Sequence, residues 1–252
     1  MTQHQLLNRT DDEVLWFQRR SFIKAAAVWT AMGGFEAAQA QSRSNVVTLT
    51  GDALVNGTRL RPDQTIQTGD RLETGPGSNL VFVLGTTSFQ VRQSSLLTVE
   101  RGATLSAVSV LRLFTGAVAS VWGKGSNRQI ITPTITAGIR GTGVYTEVFP
   151  DQANRSYFCN CYGTVAMGAG ADNVISQSSY HQAFFAEPQP KDGRMLTPAP
   201  AFNHTDEELE YLARLVNQRT AWQISGKKGV KDGMGYGDGS PQLPHPATML
   251  GK

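Results

Sequence analysis

Cysteine is nearly absent from this 252-residue chain: there are two, Cys159 and Cys161, one residue apart. Two thiols cannot build a disulfide scaffold, so the fold must rest on a hydrophobic core, which 40% apolar residues can supply. Excess charge is scarce as well. Lys and Arg total 23 against 20 Asp and Glu, a net charge of +3. That balance lacks the clustered basic surface that nucleic acid needs. No apolar run reaches the length of about 20 residues needed to cross a bilayer. Catalytic signatures are missing too: there is no G-x-S-x-G, no H-E-x-x-H, no P-loop and no prominent carboxylate pair. The chain is therefore expected not to be an enzyme.

What is present begins with an address. In "QRRSFIK", Arg19 and Arg20 precede Phe22 and Ile23, and Lys24 closes the group. "AAAVWTAMGGFEAAQA" follows, ending in Ala38-Gln39-Ala40. A charged region, a short apolar region and an A-x-A site make a secretory signal, and the adjacent arginines indicate the twin-arginine route. The apolar stretch of roughly 14 residues, broken by Glu36, is too short for a span. Residues 1–40 are expected to be a signal peptide cut after Ala40, which leaves about 210 residues in the periplasm with no membrane span. An uncleaved leader acting as an anchor is the alternative.

From 41 to 185 the chain is a succession of short alternating runs: "LVFVL" (80–84), "SFQVR" (88–92), "LLTVE" (96–100), "SVLRLF" (109–114), "AVASVW" (117–122), "GVYTEVF" (143–149) and "SYFCNCY" (156–162). Asn56-Gly57, Gly69-Asp70, Gly75-Pro76-Gly77 and Gly123-Lys124-Gly125 punctuate them. Strands at roughly ten-residue spacing predict an all-β sandwich, roll or solenoid-like sheet. A Pro-rich linker is expected over 186–200. One amphipathic helix is expected over 201–225, with Thr205 and Glu208 as a capping box. Leu209, Leu212 and Val216, with Leu215 beside them, form its apolar stripe, which is expected to lie on the sheet edge. The last 27 residues hold seven glycines and three prolines, a composition that assigns 226–252 to an unstructured tail.

Four passages of the β block resemble, in order, the periplasmic domain of the FecR family. They are "VVTLTGDALVNG" (46–57), "IQTGDRLETGPGSNLVFVLG" (66–85), "VLRLFTGAVASV" (110–121) and "ITPTITAGIRGTGVYTEV" (131–148). The resemblance marks Gly69, Asp70, Thr74, Gly75, Arg140, Gly141 and Thr142 as family signature positions. It implies an exported sensing or binding module whose partner, an envelope protein or a ligand, it does not identify. Known members are anti-sigma regulators with a cytoplasmic segment and one span. The roughly 45 residues ahead of this block are too few for both, so signalling across the membrane is not carried over. The residues themselves suggest roles: Gly69 and Gly75 can take the positive φ of tight turns. Gly141 and Gly143 flank a bend or close approach. Arg140, in an apolar neighbourhood, would need a carbonyl or carboxylate partner.

Cys159 and Cys161 alternate onto one face of a strand. Their Cα atoms should lie about 6.6–6.8 Å apart, near the outer limit for a disulfide. Metal ligation is easier, since two thiolates on a tetrahedral zinc need sulfurs only about 3.7 Å apart. His181 and His204 could complete a Cys2His2 set for zinc or another transition metal, loaded before twin-arginine export of the folded protein. His245 lies in the tail. Three further readings stand beside this one: buried cysteines that merely pack, a redox pair, and a structural or adhesion component of the envelope with the tail as a spacer.

Overall fold

The computed structural model describes residues 44–104, 106–125 and 128–235. The leader (Arg19, Arg20, Phe22, Lys24, Ala38, Ala40) and His245 lie outside the described residues. The fold is all-β. Among the described residues fifteen strands form one mixed sheet. They are β1 (Val46–Thr50), β2 (Ala53–Val55), β3 (Thr58–Arg59), β4 (Arg71–Thr74), β5 (Asn79–Leu84), β6 (Thr87–Val91), β7 (Leu96–Arg101) and β8 (Val108–Trp122), then β9 (Arg128–Ile131), β10 (Thr136–Phe149), β11 (Arg155–Ala169), β12 (Asp172–Ser178), β13 (Tyr180–Lys191), β14 (Arg194–Pro198) and β15 (Met234–Gly235). No helix among the described residues is long and apolar enough to cross a membrane.

Three strands are far longer than their apolar runs suggest, because each passes through a bend. β8 turns at Gly116 (φ +77°), β10 at Gly141 (φ +59°) and β11 at Gly163 (φ +104°), conformations that side chains with a Cβ rarely adopt. On one side of the bends, β1, β5, β6 and the distal part of β8 join the distal part of β10, the start of β11, β13 and β14. On the other side, β2, β3, β4, β7, the start of β8, β9 and the start of β10 join the end of β11 and β12. The sheet thus folds over on itself. Phe82, Phe89, Trp122, Phe158 and Phe184 from the first half meet Leu72, Leu97, Leu111, Ile130 and Val165 from the second in one buried cluster.

The opposite face of the first half carries a second apolar layer. Ala119, Val121, Tyr145, Tyr157, Cys159 and Cys161 point outward from the sheet and are covered by Leu209, Leu212, Ala213 and Trp222. The covering residues come from α1 (Asp206–Leu215) and α2 (Ala221–Ser225). The expected capping box at Thr205 and Glu208 is present. A second one, Thr220 with Gln223, starts α2. Sequence reading expected one helix over 201–225. The chain instead breaks between them, with Asn217 in the left-handed region (φ 54°). α1 also packs on β8, β6 and β10, the middle of the sheet rather than its edge.

Two further expectations are corrected. Residues 186–200 are no linker: β13 and β14 form a hairpin through Asp192-Gly193, both at positive φ. Pro188 and Pro190 fall where the β13–β14 register is interrupted, between Ala186 and Lys191, so they remove no ladder bond there. Residues 226–235, assigned by composition to the tail, also have structure. Lys228 and Lys231 pair with Asp206, and Met234–Gly235 pairs with β13. Those side chains lie on the protein because their ammonium groups have a buried carboxylate to meet.

Two outcomes test this packing. A Cβ on Gly116 would meet Ser95 Cα at 2.5 Å, so Gly116→Ala is expected to cost about 3 kcal/mol in urea unfolding; an unchanged midpoint contradicts the bend. Glu187 accepts from Arg155 (2.7 Å) and Thr197 (2.8 Å). Burial raises its pKa, but these donors prevail and hold it below the ordinary 4.5. Its stabilisation is therefore present above the unfolded-state pKa and is lost as pH falls through the lower folded-state value. Glu187→Gln should cost about 2 kcal/mol at pH 7, and the cost should shrink below about pH 4. A difference that does not vary with pH contradicts the pairing.

Candidate metal centre

Cys159, Cys161, His181 and His204 are all buried, and one ligand atom from each lies within 4.8 Å of every other. Each arrives by a different local device. β11 is bulged where Gly143 pairs with Tyr162 but Val144 pairs with Asn160, leaving Cys161 as the extra residue. Bulges re-aim side chains, and here both sulfurs leave the outer face, 3.9 Å apart. Both cysteines are free, and that separation is about twice a disulfide bond. The bend brings the backbone of Gly143 against the Tyr162 ring, leaving no room there for a Cβ.

His181 sits in β13 with φ 53°, a conformation that costs a side chain of this size free energy and often marks a site of function. Its neighbours Tyr180 and Gln182 pair with β15 on either side of a register shift. The His181 ring stacks on Trp222 (5.3 Å), and the His204 ring lies flat on Tyr145 (4.7 Å). His204 belongs to the loop that leads into α1. Hence the helical layer contributes one ligand and the sheet three.

The hydrogen bonds place one proton on each ring. His204 Nδ1 is 2.7 Å from the Phe202 carbonyl, which can only accept, so Nδ1 carries a proton and Nε2 is the nitrogen turned toward His181. His181 Nε2 is 3.0 Å from Asp206 Oδ1. Asp206 also accepts from Tyr180 (2.9 Å), Lys228 (2.8 Å) and Lys231 (2.8 Å). Burial works against its ionisation, yet these donors hold its carboxyl far below the usual carboxylate range. Asp206 is therefore an acceptor and His181 Nε2 donates to it. Burial works against a charged His181, but Asp206 and Cys159 outweigh it and raise its pKa, which favours a second proton on Nδ1 when no metal is bound. His181 Nδ1 and His204 Nε2 face each other at 3.0 Å.

Two lone pairs cannot lie that close without a positive charge between them. A proton would satisfy the two nitrogens alone. A metal ion would satisfy both nitrogens and both sulfurs. Cys159 Sγ is also 3.7 Å from His181 Nδ1. In a tetrahedral zinc site the S–S, S–N and N–N separations are about 3.8, 3.6 and 3.3 Å, close to the 3.9, 3.7 and 3.0 Å found here. The second layer of contacts is also that of a metal site, with one histidine held by a carboxylate and the other by a backbone carbonyl. Burial resists ionisation of Cys159, but the Cys161 thiol and the two histidines outweigh it and lower its pKa, while Cys161, buried beside that thiolate, is pushed up.

The other sequence candidates lie elsewhere. Gly69 (φ 104°) and Asp70 shape one turn, where Asp70 accepts from Asn56 and from the Gln67 amide. Thr74 donates to the Arg92 carbonyl and accepts from the Ser95 amide. Gly75 does not take the positive φ expected of it; Gly77 does (φ 66°). Arg140 is exposed, which corrects the expectation of an apolar neighbourhood, and Thr142 is buried at the bend. Asp206 was missed by sequence reading. Its only linear signal is its place two residues after His204, in the first turn of a helix.

No family model matches the chain, and no curated protein matches it. Two crystal structures of a "putative anti-sigma factor" from Parabacteroides distasonis superpose in part. One has 8% identity and a TM-score of 0.40 over 48% of this chain; the other has 7% and 0.38 over 46%. The chain spans about half the length of those structures, 55% and 54%.

Both thiols have no exposed surface. A colourless aromatic disulfide reagent should therefore label neither cysteine in the native protein, and both after denaturation with a chelator present. Rapid native labelling contradicts the buried site.

Proposed function

We propose that this chain is an exported, non-catalytic binding module of the FecR type that carries a structural Cys2His2 metal centre, with zinc as the ion that suits the donor set. The observation that carries the metal is the convergence of four buried donor atoms, with His181 Nδ1 and His204 Nε2 3.0 Å apart beside two thiols. Two thiolates neutralise a divalent ion, and four protein ligands leave no open position for water or substrate, as in structural rather than catalytic zinc sites. Export of the folded chain by the twin-arginine route allows loading in the cytoplasm, ahead of the oxidising compartment. The FecR-type reading rests on the four ordered sequence passages.

Elemental analysis tests the metal. The full chain, purified anaerobically without chelator from a host with the export route, should hold about one zinc per molecule. The double variant Cys159→Ser, Cys161→Ser should lose it and melt more than about 10 °C lower, because structural metal binding is coupled to folding. Asp206→Asn, with all four ligands intact, should retain zinc about 10–100-fold less tightly in competition with a chelator. Metal-free protein whose stability the double variant changes by only about 1 kcal/mol would leave the cysteines as packing residues and end this reading.

A further inference from the structure

Among the described residues six arginines have carboxylate partners. Arg59, Arg61, Arg71, Arg92, Arg112 and Arg155 each pair with an Asp or Glu. Among the described residues neither Arg128 nor Arg140 forms an ion pair, and both line one cavity of about 630 Å³ together with Lys124. That volume lies in the range of small-molecule sites, roughly 300–1,000 Å³. Among the described residues no carboxylate lines it.

Its construction follows from the bend in β10. Ala137 and Ile139 point into the core, so Gly138 and Arg140 face outward from the second half of the sheet. Gly138 pairs with Gln129 on one side and Ala166 on the other, which gives a floor of small residues. Gly141 turns the strand and meets Lys124. Arg128 is held in place: Nη1 donates to the Gly123 carbonyl (2.8 Å) and Nη2 to Thr86 Oγ1 (3.3 Å). Its guanidinium packs where a Cβ on Gly125 would sit. Three cations around one small-floored cavity repel one another until an anion joins them.

We propose that this cavity is a binding site for a small multiply charged anion bearing phosphate or carboxylate groups, with Lys124, Arg128 and Arg140 as its contacts. Arginine presents a planar fork that suits either group, and lysine adds a point charge. The site is separate from the Cys/His centre, and no metal is needed for it. It also gives a chemical role to Arg140, a sequence signature position that the metal centre leaves unused.

Calorimetric titration of the full chain with tripolyphosphate in one arm and tricarballylate in the other tests the site and tells the two chemistries apart. At least one should bind at a single site, more weakly as ionic strength rises. Arg140→Gln and Lys124→Gln should each weaken it by about tenfold. Arg214→Gln, which removes an exposed cation from α1, should leave affinity unchanged. Both pocket residues are exposed and neither is a metal ligand, so unaltered melting and metal content certify folding in each variant. Absence of binding by both anions overturns the proposal. So does binding that all three variants weaken alike, since that is attraction to net charge and not to this cavity.

Discussion

Two imidazole nitrogens turned toward each other at 3.0 Å, a separation that requires a positive charge between them, are the constraint around which the outer layer of this protein is arranged. The Phe202 carbonyl accepts a hydrogen bond from one ring, and Asp206 accepts one from the other. Asp206 can do so only as a carboxylate, and it stays one because Lys228, Lys231 and Tyr180 surround it. The lysines come from the segment after α2, Asp206 opens α1, and His181 is held in a left-handed conformation between the residues that pair with β15. Strand, helix and C-terminal segment therefore converge on one point. Alone, none of these polar groups would be worth burying.

The glycine bends make this arrangement possible. By folding one sheet over, they give the molecule a large aromatic and aliphatic interior that does not depend on the centre. The outer face of the first half is then free to carry polar chemistry under a thin helical cover. α1 is fastened there by its own contacts as well: Ser88 donates to the Leu212 carbonyl, and Arg92 holds Glu208 with both carboxylate oxygens. Loss of the centre should therefore weaken the cover before it weakens the core. On the second half, the same bend in β10 turns Arg140 out toward Arg128 and Lys124.

Much of the fold was legible in the sequence, because period-2 alternation and Gly turns are local signals. "LVFVL", "SFQVR" and "LLTVE" became β5, β6 and β7 almost residue for residue. What escaped was what depends on distant partners. Composition alone made Pro188 and Pro190 look like a linker, although the Asp192-Gly193 dipeptide was a readable hairpin signal. Thr220 and Gln223 likewise spelled a second capping box inside what read as one helix. The tail's first residues could not be placed, because their anchor is a buried Asp206 whose burial the sequence does not state. At the site, Cys159, Cys161, His181 and His204 were singled out by scarcity and residue type. Their convergence needed the bulge at Cys161 and the conformation of His181, which are tertiary outcomes.

The decisive measurement is X-ray absorption at the zinc K-edge on the purified, export-competent chain. Two sulfur scatterers at about 2.3 Å and two nitrogen scatterers at about 2.0–2.1 Å are expected, with no oxygen ligand. A shell of oxygen and nitrogen alone, or protein that folds fully and never acquires a metal, would contradict a Cys2His2 centre and leave a bridging proton as the charge between the two rings.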